Sequence, residues 1–257
     1  WVTAAGIGLC AHELTGRRDA GVAIGVIAAM TPWIFVLGRV GWEALSFPAV
    51  LSFAFWLFLK GARQAHQQLL SLSGILFGLS LYTYTTARLV VPLTILGLCL
   101  AHARSIPTRQ MVLRFGVPLV LMALPLVAQI AMNPRPILWR FEALSLTQRM
   151  AQAGTAAILS QAVENHLSYF SPVFLFLNGD ANLRHGTGRG VLLWCLAPLL
   201  ISGLVALWRR RREPAAQSAA MGLLCAPAGA ALLATQHPHA IRSIGAVVFW
   251  LCLAALG

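Results

Sequence analysis

The sequence predicts an all-α fold, a polytopic transmembrane helical bundle, on three observations. Apolar residues make up 58% of the chain against 10% charged, and mean hydropathy is +0.76, far from the usage of soluble domains. Continuous apolar runs recur along the whole length, as in membrane helices and unlike the apolar/polar alternation of a β-barrel. Arginines flank these runs instead of forming one basic face. The net charge of +12 therefore reads as topology signal and lipid contact, and a nucleic-acid partner is excluded. The five cysteines stand singly within apolar runs, without the spacing of a metal site or a disulfide framework.

We read about nine membrane segments, at roughly 1–14, 20–38, 45–59, 69–84, 88–103, 113–132, 190–208, 215–235 and 243–257. The chain reads as a single transmembrane domain, 1–257, with both ends inside apolar runs. It is expected to be truncated at both, with its N-terminal part missing. Connectors alternate between two sides. Among the short loops, one side collects 11 Lys/Arg, including the run 209–212, and the other has only Arg39, Arg88 and Arg242. By the positive-inside rule the basic side is cytoplasmic and the other faces outward. The expected location is a plasma membrane, the inner membrane of a bacterium.

Segments 69–84 and 88–103 form one run of about 35 residues with Arg88 as its single charge. As one helix it would be about 50 Å long, too long for a bilayer core, so it must fold back. The break is Tyr82-Thr83-Tyr84-Thr85-Thr86-Ala87-Arg88. Its arms are short, so the tip dips into the outer leaflet, where its polar groups need protein or ligand partners. Two further outward patches place an arginine beside polar groups. These are Arg39 with Glu43, and Arg242 with His237 and His239.

The one long connector, 133–189, starts at Asn-Pro-Arg-Pro, a helix stop. Thr155, Ile158, Leu159, Ala162, Val163, His166, Leu167 and Phe170 then recur at helical spacing, with Gln161, Glu164, Asn165 and Ser168 opposite. This predicts an amphipathic helix lying on the outer membrane surface, preceded by a shorter one near Leu146. The densest polar patch follows at 171–190, with Asp180, Asn182, Arg184 and His185 at the mouth of the next apolar run. Asp180, in Gly-Asp-Ala-Asn, suits an Asx-turn.

Arginines converging at a membrane interface suit a phosphate or pyrophosphate through charge-assisted pairs. Snorkelling to lipid headgroups is the plainer role for any one of them. The histidines His166, His185, His237 and His239 with nearby carboxylates leave a divalent metal as an open alternative, but their spacing assigns no metal ligand. No cofactor fingerprint or nucleophile motif is present.

Four stretches carry a resemblance: TPWIFVLGRVGWEA (31–44), GLSLYTYTTARLVVPL (78–93), YFSPVFLFLNGDANLRH (169–185) and HPHAIRSIG (237–245). Through them the chain resembles the GT-C-type membrane glycosyltransferases of the protein O-mannosyltransferase and aminoarabinose-transferase group. The resemblance implies an enzyme that moves a sugar from a polyprenyl-phosphate donor to a lipid, glycan or protein acceptor at the outer face. It implies donor phosphate and sugar contacts from Arg39, Glu43, Tyr82, Tyr84, Arg88 and Arg242. Asp180, Asn182, Arg184, His185, His237 and His239 would form a lid. The catalytic base of such enzymes lies in an outer loop after the first helix, which would fall upstream of Trp1, so this stretch alone is expected to be inactive. A transporter or flippase for a lipid-linked or anionic solute fits the same broken helices and intramembrane arginine.

Overall fold

A computed structural model describes residues 1–257 except Leu183, Thr187, Thr235 and the side chain of Arg140. The described residues form fourteen helices and no β-strand. Helix α1 (Val2–Thr15) stops at Gly16, whose φ of 71° lets its amide close on the His12 carbonyl. Helix α2 (Arg18–Met30) opens with Asp19 in its first turn. It ends at Thr31 because Pro32 disfavours helical geometry in the residue before it. Helix α3 (Pro32–Val40) leaves at a bend of 50°. The expected single segment 20–38 is thus two helices meeting at a proline break.

Helices α4 (Ser46–Gln64), α5 (Gln67–Ser80) and α6 (Ala87–His102) follow, with the last two separated by the Tyr82–Thr86 turn. Helix α7 (Thr108–Met132) holds a π-helical turn at Met111–Gly116 and a proline at 125. In the long connector come α8 (Arg135–Leu144), α9 (Leu146–Arg149), capped by the Ser145 hydroxyl, and α10 (Thr155–Ser168). Helices α11 (Leu196–Arg209), α12 (Pro214–Cys225), α13 (Ala228–Ala231) and α14 (Ala246–Leu256) complete the chain.

Two helices are long and apolar enough to cross a membrane, Glu43–Gln64 and Thr108–Met132, and α2 with α3 makes a third if the bent pair counts as one span. Nine expected segments exceed that number. Helices α6, α11 and α14 are apolar but only 16, 14 and 11 residues long. At 1.5 Å per residue that is short of a hydrocarbon core of about 30 Å.

Helix α14 is the hub. Every residue from Ala246 to Ala254 is buried, against α1, α11 and α12, with α2 and α4 beyond. Phe249 meets Phe55 of α4 edge-on at 5.2 Å. Helix α7 lies at the periphery and exposes Val120, Leu121, Leu124 and Val127. It approaches α5 closely because Gly74 and Gly78 have no side chain. A Cβ at either would overlap the Phe115 carbonyl or the Met122 side chain.

The two kinds of connector gather at opposite ends. One end brings together Thr15, Gly16, Arg63, Ser105, Arg210 and Glu213, all from connectors on the basic side. There Arg63 pairs with the buried carboxylate of Glu13 at 2.6 Å, and Arg210 donates from Nε and Nη2 to Glu213. The other end brings together Glu43, Tyr84, Arg88, His185 and Arg242.

Candidate functional site

The polar loop 178–190 is an excursion with tied ends. The amides of Val191 and Leu192 donate to the carbonyls of Phe174 and Leu175 at 3.3 and 2.8 Å. Gly190 permits this return, since a Cβ there would overlap the Phe176 backbone. Gly179, at φ 64°, turns the chain and Asp180 enters the interior at 4% exposure. Its Oδ1 accepts the Asn182 amide at 2.9 Å, the Asx-turn that the sequence suggests. Its Oδ2 accepts the Ala240 amide at 2.6 Å and lies 2.7 Å from His185 Nδ1. One carboxylate thereby joins the loop to the 237–242 connector.

That connector is held from two more sides. Trp33 Nε1 donates to the Ala240 carbonyl at 2.9 Å. His237 Nε2 donates to the Leu233 carbonyl at 2.6 Å, which leaves Nδ1 to accept from the Tyr169 hydroxyl at 3.0 Å. The same hydroxyl oxygen accepts the His239 amide at 3.3 Å. Burial pushes the Tyr169 hydroxyl far above its ordinary range and lowers His237. Burial, and then the charge of Arg242, lower His239 to about 4. The rings of His185 and His239 stack at 4.3 Å, and His239 Nδ1 lies 3.5 Å from Asp180 Oδ2.

In front of these groups lies a cavity of ≈ 610 Å³. Its polar lining is Glu43, Tyr84, Thr85, Thr86, Arg88, Asn182, Arg184, His185, His239 and Arg242. Its apolar lining includes Trp42, Leu89, Leu232, Leu233 and Ile241, with Ile137, Leu138, Phe141 and Leu144 from α8. Arg88 donates from Nη1 to the Ile137 carbonyl at 3.1 Å, while its Nε is buried without a partner among the described residues. The site therefore joins guanidinium groups to an apolar wall, the composition expected for an amphiphile with an anionic head.

Of the twelve residues singled out from sequence, eight line this cavity: Glu43, Tyr84, Arg88, Asn182, Arg184, His185, His239 and Arg242. Asp180 and His237 stand behind its wall as struts. Arg39 and Tyr82 lie elsewhere. Arg39 is exposed, with its guanidinium over the Phe35 ring at 5.8 Å. Tyr82 sends its hydroxyl into α7, donating to the Met122 carbonyl at 2.8 Å and accepting the Leu126 amide at 3.1 Å. Pro125, next to Leu126, has no amide of its own to give to that turn of the helix.

Sequence reasoning missed three supports. Asn165, read as a solvent-side residue of α10, is buried and donates to the carbonyls of Ala231 and Leu233 at 3.0 and 3.5 Å. Tyr169 and Trp33 lay inside recognised stretches without an assigned task. No local signal could expose these roles, because their partners are 66 to 207 positions away.

Comparison with known proteins brings no family, no curated protein and no solved structure that matches the chain.

Proposed function

We propose that this chain is the membrane body of a glycosyltransferase that moves a sugar from a polyprenyl-phosphate donor to an acceptor at the outer face. The observation that carries the reading is the cavity in which Arg88 and Arg242 stand beside the apolar side of α8, at the end opposite the basic connectors. A prenyl phosphate has matching halves. Its phosphate takes the guanidinium groups and its chain takes Ile137, Leu138, Phe141 and Leu144. In this reading the shorter apolar helices complete a GT-C-like bundle of about nine segments, and the positive-inside rule supports an outward-facing cavity in a bacterial plasma membrane. The amphipathic α10 turns Leu159, Val163 and Leu167 outward, which suits the outer leaflet.

In the reaction an acceptor oxygen forms a bond to the anomeric carbon as the bond from that carbon to the phosphate oxygen breaks. The electron pair leaves on the polyprenyl phosphate, and the acceptor's proton passes to the base that the resemblance puts in an outer loop upstream of Trp1. Arg88 and Arg242 stabilise the charge that grows there, and Tyr84 and Glu43 are placed to hydrogen-bond the sugar. The acceptor is a lipid, a glycan or a protein.

The test is transfer from labelled polyprenyl-phosphate sugars by the full-length enzyme, with the outer loop expected to hold the base, reconstituted in liposomes. Arg88→Ala should lower turnover by about 10²- to 10³-fold while the protein stays monodisperse. Wild-type turnover in that variant would remove Arg88 from the mechanism. A transporter for a lipid-linked anion is the second reading, favoured by the 50° break between α2 and α3. Movement of labelled carrier lipid across the bilayer without any glycosylated product would select it.

A further inference from the structure

We infer that Asp180, His185 and His239 hold a divalent transition-metal ion, zinc by the character of its donors, with three protein ligands and one coordination position open to the cavity. Each of the three offers one donor atom within 4.8 Å of the others, and the Nδ1 atoms of both histidines face Asp180 Oδ2, at 2.7 Å from His185 and 3.5 Å from His239. They come from two loops far apart in sequence, and Asp180 and His185 are 4% and 5% exposed. Neither local turn chemistry nor surface charge brings such a trio together.

The distances suit the ion. Metal–ligand bonds of about 2.0–2.2 Å in a tetrahedral site put neighbouring donors roughly 3.3–3.6 Å apart. His239 Nδ1 is 3.5 Å from Asp180 Oδ2. The 2.7 Å hydrogen bond of His185 would open by roughly half an ångström as its Nδ1 proton gives way to the metal. His239 Nδ1 supplies a second, independent pointer, since it is buried and has no hydrogen-bond partner among the described residues. A buried ring nitrogen without a partner is uncommon unless something else satisfies it.

The surrounding groups are those that hold metal ligands in place. The Asn182 amide occupies Asp180 Oδ1, so the carboxylate offers one oxygen to the ion, and the Ala240 amide fixes that oxygen. The Tyr169 hydroxyl takes the backbone amide of His239. Two imidazoles with one carboxylate favour zinc or its transition-metal neighbours over magnesium and calcium, which prefer oxygen alone. His185 and His239 line the cavity while Asp180 stands behind them, so the open position lies on the cavity side. Toward a donor lipid the ion would take a phosphate oxygen. That role rests on the glycosyltransferase reading, whereas the binding of metal does not.

The test uses the full chain in detergent, freed of any histidine tag, stripped with chelator and titrated with cobalt(II). The expected result is one saturable equivalent with visible ligand-field bands of four- or five-coordinate cobalt, displaced by zinc. His239→Ala and the gentler His239→Gln should weaken binding at least about tenfold, while His66→Ala, at an exposed histidine, should leave it unchanged. Absence of saturable binding overturns the inference, leaving a hydrogen-bonded Asp180–His185 pair with a stacked histidine. Binding that survives in both His239 variants overturns it equally. Metal bound by a full-length enzyme that transfers no sugar under any condition would sink the proposed function and leave the site standing.

Discussion

Asp180 and Tyr169 show how single polar atoms fix the end opposite the basic connectors. Each serves two partners at once, so each is a place where one missing oxygen has two consequences. Tyr169→Phe removes the donor to His237 Nδ1 and the acceptor of the His239 amide. It should cost about 1–3 kcal/mol, read as a lower midpoint of thermal unfolding in detergent, and an unchanged midpoint would deny the hydroxyl its bridging role. His166, on α10, gives a pH effect of defined sign. Burial lowers its pKa below 6.5, so above that value the native and unfolded protein bind the same number of protons there. As pH falls, the unfolded chain takes up a proton first, and stability contributed by the neutral ring is lost through the folded pKa. His166→Gln should flatten the acid limb of a stability–pH curve, and an unaltered limb would dismiss the effect. Residues were only partly legible in the sequence. Arg88 stood out as a lone charge in an apolar run, and it lines the cavity. Tyr82, six positions before it, invited the same reading, yet it reaches a proline turn 40 residues further on. The difference lies in three-dimensional direction, which the spacing of two residues in a turn does not encode.

At the scale of elements, local chemistry predicted stops better than lengths. Gly16, Gly41 and Pro32 end or break helices for backbone reasons that can be read from the residue alone. The hairpin between α5 and α6 followed from length, because an apolar run of about 50 Å cannot cross one bilayer unbent. The inward turn of Asn165 was not readable from periodicity. The helical pattern of α10 identifies an apolar face, and here that face, with Leu159, Val163 and Leu167, is the exposed one. Packing of α5 on α7 depends on the small-residue pair Gly74 and Gly78. Gly74→Val should force the helices apart at a cost of about 1–3 kcal/mol, measured by thermal or steric-trap unfolding in detergent or bicelles. An unperturbed variant would mean that the two helices separate freely.

Across the whole molecule, the alternation of connectors reads directly from arginine placement, and the bundle sorts them into two ends. This yields a geometric prediction. In a background without native cysteines, Arg104→Cys and Gln236→Cys should react with a membrane-impermeant thiol reagent from opposite sides of sealed vesicles. Labelling of both from one side would discard the assigned topology. Which helix sits in the middle had a signal that went unread: α14, Ala-Val-Val-Phe-Trp-Leu-Cys-Leu-Ala-Ala-Leu, has no polar residue and no amphipathic face, the mark of a helix buried all round.

That central position has a consequence in time. The ribosome delivers α1 some 240 residues before α14, which at typical elongation rates is an interval of roughly 10–50 s. Through that interval α1 and α4, joined near its end by α11 and α12, lack the segment that fills the space between them. The nascent bundle must keep an open trough in the bilayer until α14 arrives. Chains halted before Ala246 should therefore be held by insertion machinery or degraded, and quality control of this protein should act on the arrival of α14.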